Sequence, residues 1–443
     1  MEESKRRLSL RGYIGIILVG LVGQIAWAIE NQYINLWVFS QTHTSTYITW
    51  MTIASSVMAT LVTFLMGALS DRLGKRKIFI AAGYIAWGVS VFLFGLMSYG
   101  NMKSLFPAAN TLFMVGLMNT LTDCLMTFFG STSNDACFSA FVTDVTDTHN
   151  RPKVESILSI LPLFATAMML GIGMIYGLPG EAGVSAETIA TPWLFFFLTV
   201  GVLVSLVGVA AFFLLPNDAI LPNRAPYFKN LIYGFRPSTV KKHPLFYITL
   251  LSFLFFNIAI DAFMPYYLVY FQNSLNYSGL TFYLGMGIII LLSSALTILV
   301  GVFMEKIGKL KVAFGAIFFL ALGSLVLYFT TTYALVITFA TTMMFGYLIG
   351  TAVLGAELRD RTPENEVGLF QGVRMVFSVM LPMVIGSSLS EAVFSATALN
   401  EYGEPAKVPD HNMFLVVLFA AIAAILPLLL LTFARKKEKK EEE

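Results

Sequence analysis

Stretches of about 20 consecutive apolar residues, each long enough to cross a roughly 30 Å hydrocarbon layer as a helix, recur along this chain from Tyr13 to Phe433. Nothing constrains the fold more, because a segment surrounded by lipid must satisfy its own backbone N–H and C=O groups, and a helix does so. The pattern predicts helices over residues 13–40, 46–70, 78–99, 118–145, 153–178, 192–215, 244–271, 281–303, 312–330, 333–357, 367–390 and 412–434. That is an all-α membrane protein with twelve transmembrane helices, in a chain 57% hydrophobic and only 12% charged.

The basic residues predict an orientation. Lys5, Arg6, Arg7 and Arg11 precede the first helix, and Arg72 to Lys77, Arg151 and Lys153, Arg224 to Lys242, Lys306 to Lys311, and Arg359 and Arg361 fill alternate loops. The tail from Arg435 is basic too, whereas the opposite loops carry only Lys103 and Lys407. The positive-inside rule then puts both termini in the cytoplasm of a multi-pass protein of the plasma (inner) membrane. Basic residues ahead of an apolar run, with Ala26-Trp27-Ala28 behind it, imitate a secretory signal. Cleavage there would delete one helix from the repeat described next, so the segment is read as a helix.

Residues 67–77 read GALSDRLGKRK and residues 301–311 read GVFMEKIGKLK. Gly67, Gly74, Lys75 and Lys77 coincide with Gly301, Gly308, Lys309 and Lys311, while Asp71 and Arg72 match Glu305 and Lys306 in charge. Each stretch follows the second helix of its half, so the chain reads as two pseudo-symmetric six-helix bundles, 1–215 and 244–434, joined by a basic, proline-bearing cytoplasmic linker, 216–243, and ending in a charged tail, 435–443. A second, weaker match lays Asp144 over Glu357, Asp147 over Asp360 and Val154 over Val367. Between the two landmarks the first half is longer, and the surplus falls near residues 99–119, as an interfacial helix or as an extension of the fourth helix.

Enzyme chemistry has no foothold. His43, His149, His243 and His411 lie in predicted loops, and no HExxH, GxSxG or phosphate-loop pattern occurs. Cys124 and Cys137 share one helix without metal spacing. No cofactor, metal or nucleic acid is expected.

The stretch from Gly67 resembles the signature of the major facilitator superfamily, Gly, three residues, Asp-Arg, one residue, Gly and two basic residues. With two similar halves of six helices, the resemblance covers nearly the whole chain. It implies secondary transport by alternating access around a central cavity lined by helices 1, 4, 7 and 10. The run SNDACFSAFVTDVTDTHNRPKVESILSILP from Ser133, with ENEVGLFQGVRM from Glu364, looks like the glycoside-pentoside-hexuronide cation symporter branch, the melibiose permease-like group. This chain departs from that branch on the second helix, where Ala59, Val62 and Thr63 stand in the stretch that carries paired acids, and on the eleventh, which has Arg374 near the position of a lysine. A proton rather than sodium is therefore the expected coupling cation. The signature also has a local reason. Asp71 ends a helix whose dipole disfavours negative charge there, so it needs a partner. The resemblance supplies one in the amino end of the eleventh helix near Val367, a cytoplasmic latch, with Glu305 facing Val154 by symmetry.

Three carboxylates lie well inside predicted helices: Glu30 in the first, Asp135 in the fourth and Asp261 in the seventh. Each costs roughly 2.5 to 3.5 kcal/mol at the bilayer centre on insertion scales. Asn31, Asn134 and Asn257 stand beside or one turn from them, as expected of a polar cavity binding solute or cation. Asp123 aligns with Val336 and is expected near the outer mouth. Trp27 and Tyr33 flank Glu30 at helical spacing, suited to stacking on the apolar face of a sugar. The competing assignment makes Glu30 a purely structural helix tie and the rings ordinary packing. Arg374 has three candidate roles: neutralising Asp135, neutralising Glu357, or reaching the cytoplasmic surface. Pro265, one turn after Asp261, is a candidate gating bend.

The expectation is a secondary active transporter of a small polar, glycoside-like or sugar-like solute, coupled to protons. The alternatives are a multidrug or lipid-like exporter of the same fold, and a polytopic receptor or scaffold that does not transport.

Overall fold

Helix ends in this chain are set by local chemistry. Ser9 receives the Gly12 backbone N–H at 3.2 Å and starts the first helix, and Asn110 receives that of Phe113 at 3.0 Å and starts the fourth. The glycines shared by the two signature stretches have a backbone reason. Gly74 (φ 62°) ends the second helix and Gly308 (φ 96°) the eighth, in conformations that L side chains rarely adopt.

The computed structural model describes residues 8–146, 150–178, 185–218, 233–363, 367–399 and 405–442. Among them, 12 helices are long and apolar enough to cross a membrane. They are α1 (Leu10–Thr42), α2 (Thr46–Leu73), α3 (Lys77–Phe94), α4 (Thr111–Val145), α5 (Lys153–Ile175), α6 (Ala186–Leu214), α7 (Pro244–Asp261), α8 (Gly279–Ile307), α9 (Lys309–Phe329), α10 (Tyr333–Asp360), α11 (Phe370–Val393) and α12 (Met413–Ala434). The helical conformation of α12 runs on through the charged tail to Glu442. Most of the basic amino terminus, His149, Asp147 and much of the linker lie outside the described residues.

Two compact units result, Met1–Ala225 and Pro226–Glu443. The first is held by aromatic packing. Trp37 and Trp193 meet at 5.7 Å and Trp193 stacks on Phe197 at 5.5 Å, and Trp37 donates its indole N–H to Asn119 Oδ1 at 3.1 Å. The surplus between helices three and four takes both expected forms: a short helix, Tyr99–Leu105, and an α4 that begins at Thr111. Buried Gln41 ties this region down, accepting from the Tyr99 N–H at 2.9 Å and donating to the Ala186 carbonyl at 3.3 Å.

In the second unit, Phe370 at the start of α11 is buried against Phe246 at 4.6 Å and His243 at 5.4 Å. The seventh segment is not one continuous helix as expected. It leaves helical geometry after Asp261, turns at 262–266 around Pro265, and resumes at Tyr267–Val269. Between α11 and α12 lies an antiparallel ribbon, β1 (Ala396–Leu399) with β2 (Pro405–Lys407), which the hydropathy pattern does not predict.

Among the described residues, π-helical stretches occur at Ile29–Ile34 in α1, Ser131–Phe138 in α4, Tyr270–Ser274 after α7, and Val376–Met380 in α11. Such stretches are rare and gather at functional sites.

Candidate functional site

The fourth helix places a polar or acidic side chain every four residues: Asn119, Asp123, Thr127, Ser131 and Asp135. That spacing sets each beside the next along the helix surface. The Thr127 hydroxyl donates to Glu30 Oε1 at 3.0 Å, joining this row to the π-helical stretch of α1. Among the described residues, Glu30 Oε2 and Asp123 Oδ1 are buried and meet no hydrogen-bond partner. Asp123 is 2% exposed, within electrostatic reach of Glu30, with Ser55 of α2 beside it. Asp135, half-buried, accepts from the Ser131 hydroxyl at 3.1 Å and from the Asn134 amide at 3.4 Å, and the Trp27 indole reaches it as well.

Among the described residues of this unit's spans, no base pairs with these acids. In the first unit's spans, the described Lys and Arg residues are Arg11, Arg72, Lys77 and Lys153, each at a helix end.

Neighbouring groups hold the arrangement. The Tyr84 hydroxyl lies 3.0 Å from Asn134 Oδ1 and 2.9 Å from the Val19 carbonyl, and Gly23 leaves them room. A Cβ on Gly23 would sit 2.4 Å from the Tyr84 oxygen and 2.6 Å from Asn134 Oδ1. The Asn31 amide donates to the Trp27 carbonyl at 2.9 Å, and that of Asn35 to the Asn31 carbonyl at 3.2 Å. Trp27 packs on Trp87 with centroids 5.0 Å apart.

Two sequence expectations change here. Asp123, expected away from the site, belongs to the same cluster as Glu30; the four-residue rhythm along α4 was the signal for it. Tyr33 points elsewhere, its hydroxyl donating to the Met169 carbonyl at 3.1 Å and its ring 5.1 Å from Phe196. At 1% exposed it is core.

In the second unit Asp261 is half-buried at the end of α7, within electrostatic reach of Tyr347. No hydrogen bond or ion pair reaches it among the described residues of this unit. Asn257 donates to the Ser378 carbonyl at 3.1 Å, inside the π-helical stretch of α11. Arg374 does not take Glu357, which pairs with Arg361 at 3.3 Å.

At one end of the first unit the signature stretch builds an ion network. Arg76, 8% exposed, pairs with Asp71 at 2.7 Å and with Asp144, and donates to the Ser70 hydroxyl at 3.1 Å. Burial works against the Arg76 charge, but the hydrogen bond and charge of Asp144, followed by those of Asp71, outweigh it and raise the guanidinium pKa. Asp71 thus has a partner within its own unit. Asp218 Oδ1 accepts from the backbone N–H groups of Arg76 and Lys77 at 2.9 and 3.0 Å, capping α3. Arg72 and Lys75 are exposed, and Gly67 faces Ala136. In the second unit Gly301 has open space around it, Glu305 is exposed, and Lys309 pairs with Asp360 at 2.5 Å.

The profile described as Major Facilitator Superfamily matches residues 13–387. Among solved structures, the nucleoside transporter NupG is similar at a TM-score of 0.66 and 10% identity, covering 95% of this chain and 98% of its own. The xylose transporter XylE from E. coli is similar at 0.64 and 12% identity, covering 94% of this chain and 98% of its own. No curated protein sequence matches.

Proposed function

The chain belongs to the Major Facilitator Superfamily, and from that premise we propose that it carries a small polar organic solute across the membrane by alternating access, driven by protons. It is a multi-pass integral membrane transporter rather than an enzyme. What we add is the coupling ion, the solute class and the orientation, with both termini cytoplasmic in a plasma (inner) membrane and the 216–243 linker on the same side.

The observation that carries the coupling is the set Glu30, Asp123 and Asp135 in spans whose bases all sit at helix ends. Burying even one uncompensated charge costs several kcal/mol. Three acids on facing helices are tolerable when protons or a bound cation offset them and water reaches them in part of the cycle. Ser55, not a second acid, is the α2 neighbour of Asp123, which favours a proton over sodium. Asp261, which meets no hydrogen bond or ion pair among the described residues of the second unit, is a further candidate. Two bundles rocking about a central site would use the Asp71, Arg76 and Asp144 network to keep the first bundle rigid at its cytoplasmic end. The nucleoside and xylose transporters that share the fold support a small polar cargo.

Uptake into proteoliposomes tests this. A pH gradient, acid outside, should drive accumulation of a substrate that a protonophore abolishes, with Asp135→Asn uncoupled. Accumulation driven only by sodium overturns the proton. Extrusion of apolar cargo indifferent to Glu30→Gln and Asp135→Asn supports the exporter instead, and the absence of any gradient-driven flux supports a receptor or scaffold.

A further inference from the structure

The Tyr84 hydroxyl of α3, on a fully buried side chain, has one hydrogen to give and stands between two acceptors. Asn134 Oδ1 of α4 lies at 3.0 Å and the Val19 carbonyl of α1 at 2.9 Å. One hydrogen makes a well-aligned bond to only one of them at a time. The Val19 carbonyl has a second lone pair beyond the one its helix uses, and Gly23 leaves it uncovered, since a Cβ there would sit 2.4 Å from the Tyr84 oxygen. On its other side Asn134 contacts Asp135 Oδ1 at 3.4 Å. A side-chain amide has an accepting end and a donating end of nearly the same shape, so Asn134 has two ways to satisfy both neighbours. With Asp135 ionised, the Asn134 N–H donates to the carboxylate and Asn134 Oδ1 takes the Tyr84 hydrogen. With Asp135 protonated, its O–H donates to the Asn134 oxygen, the amide turned end for end donates to the Tyr84 oxygen, and the Tyr84 hydrogen turns to the Val19 carbonyl.

We infer that Asn134 and Tyr84 form a two-position hydrogen-bond switch that converts proton occupancy at Asp135 into a bond from α3 to α1. The proton on Asp135 comes from solvent; the Tyr84 hydroxyl only rotates, the Asn134 amide only turns, and no covalent bond changes in either. Tyr84 and Asn134 are thus positioning residues. In both states the side chains of Asp135, Asn134 and Tyr84 keep partners, which avoids the cost of an unpaired buried polar group. The inference rests on the proton reading of Asp135 and deepens it, because the helix that receives the new bond also carries Glu30. Other titratable groups face this corner from the packed elements. Glu30 of α1, itself in reach of Asp123, lies within electrostatic reach of Asp135, and Glu155 of α5 shares a cleft with Asn134. Asp71, Arg76 and Asp218 lie within reach of Cys137, two residues on. None of them hydrogen-bonds the Asn134 or Tyr84 side chain among the described residues. They bias where Asp135 titrates, while the amide and the hydroxyl carry the result to α1.

Infrared difference spectroscopy of the purified full chain, acidic buffer minus alkaline, tests it with the proton as the only ligand. Asp135→Asn identifies the Asp135 carboxyl band by removing it. In the unaltered protein that band should come with a shift in a side-chain amide C=O band and a shift in a tyrosine C–O band, both lost in Asp135→Asn. Tyr84→Phe, which keeps the ring, should abolish the tyrosine shift and leave the carboxyl band. Asn134→Leu should abolish the amide and tyrosine shifts together and leave the carboxyl band; if that variant does not fold, the other two decide the matter. A Tyr84 that merely packs gives no pH-dependent tyrosine band. A carboxyl band without the two shifts, a tyrosine shift that survives Asp135→Asn or Tyr84→Phe, or no Asp135 band at all overturns the switch. Failure of the coupling reading looks different: the three bands change together as expected, yet no proton gradient drives uptake.

Discussion

Replacing Arg76 by methionine should loosen the first unit by about 2 to 4 kcal/mol. The contact with Asp144 joins side chains only 9% and 21% exposed, and a charge-assisted hydrogen bond of that kind is worth roughly 1.5 to 3 kcal/mol. Asp71 is 42% exposed, so its pairing is screened to about 0 to 1 kcal/mol. The Ser70 hydrogen bond adds about 0.5 to 1.5 kcal/mol. These add incompletely because they share one guanidinium. For a unit of this size, each kcal/mol shifts the unfolding midpoint by roughly 2 to 4 °C, so a fall of about 5 to 15 °C is expected. All 5 tryptophans of the chain, Trp27, Trp37, Trp50, Trp87 and Trp193, lie in the first unit, so intrinsic fluorescence of the detergent-purified protein reports on that unit selectively. Asp144→Asn completes a double-mutant cycle, where a coupling of at least about 1 kcal/mol is expected. A midpoint shift under about 2 °C for Arg76→Met, or strict additivity in the cycle, would refute the argument that this network stiffens the bundle.

Three further perturbations separate chemistry from packing. Glu30→Gln keeps an oxygen for the Thr127 hydroxyl, now at 3.0 Å, so the midpoint should stay within a few degrees. With one proton per solute, the roughly tenfold accumulation that each pH unit supports should vanish in that variant; retained accumulation excludes Glu30 from coupling. Gly23→Ala drives a Cβ to 2.4 Å from the Tyr84 oxygen and should cost about 1 to 3 kcal/mol by overpacking, read as a lower tryptophan-fluorescence midpoint that Tyr84→Phe partly restores. Asp218→Ala removes the acceptor of two backbone N–H groups at the start of α3 and should cost about 0.5 to 2 kcal/mol; Asp218→Asn should retain most of the stability in the same melt.

The spans were legible because hydropathy is a local sum, and a lipid environment leaves helices as the main way to satisfy the backbone. The repeated glycines were legible because positive φ at Gly74 and Gly308 selects that residue. Side-chain direction was not. Tyr33 and Glu30 are three residues apart, yet the π-helical stretch between Ile29 and Ile34 alters the turn, and Tyr33 ends against Phe196 while Glu30 faces Thr127. Aligning the two halves across an insertion separates Asp123 from Glu30, whereas the structure sets it within electrostatic reach of that carboxylate. The dipole problem at Asp71 is real, and within its own unit Arg76, five residues away, answers it. The Arg76 side chain folds back toward Asp71 and Asp144 from the loop after Gly74, a direction fixed by tertiary contacts.

The π-helical stretches connect side-chain direction to the chemistry. Widening the hydrogen-bonded ring by one residue frees a carbonyl and turns the following side chains relative to an α-helix. In α1 the Trp27 carbonyl is taken by the Asn31 amide at 2.9 Å, and in the second unit the Ser378 carbonyl in α11 is taken by Asn257 at 3.1 Å. Both asparagines thereby offset a local loss of helix hydrogen bonding, a structural task that does not need Glu30 or Asp261 beside them. If the stretch in α1 exists to aim Glu30 at Thr127, then deleting Gln32, which is half-buried and makes no side-chain hydrogen bond among the described residues, should let the segment close to α geometry. The flanking contacts, Trp37 to Asn119 on one side and Trp27 to Trp87 on the other, are then expected to survive, holding the fluorescence midpoint within a few degrees while proton-driven uptake is lost. A deletion that leaves uptake unchanged would mean that the aim of Glu30 is immaterial to coupling. One that unfolds the unit would mean that the wide turn is part of the bundle's packing rather than a device for placing an acid.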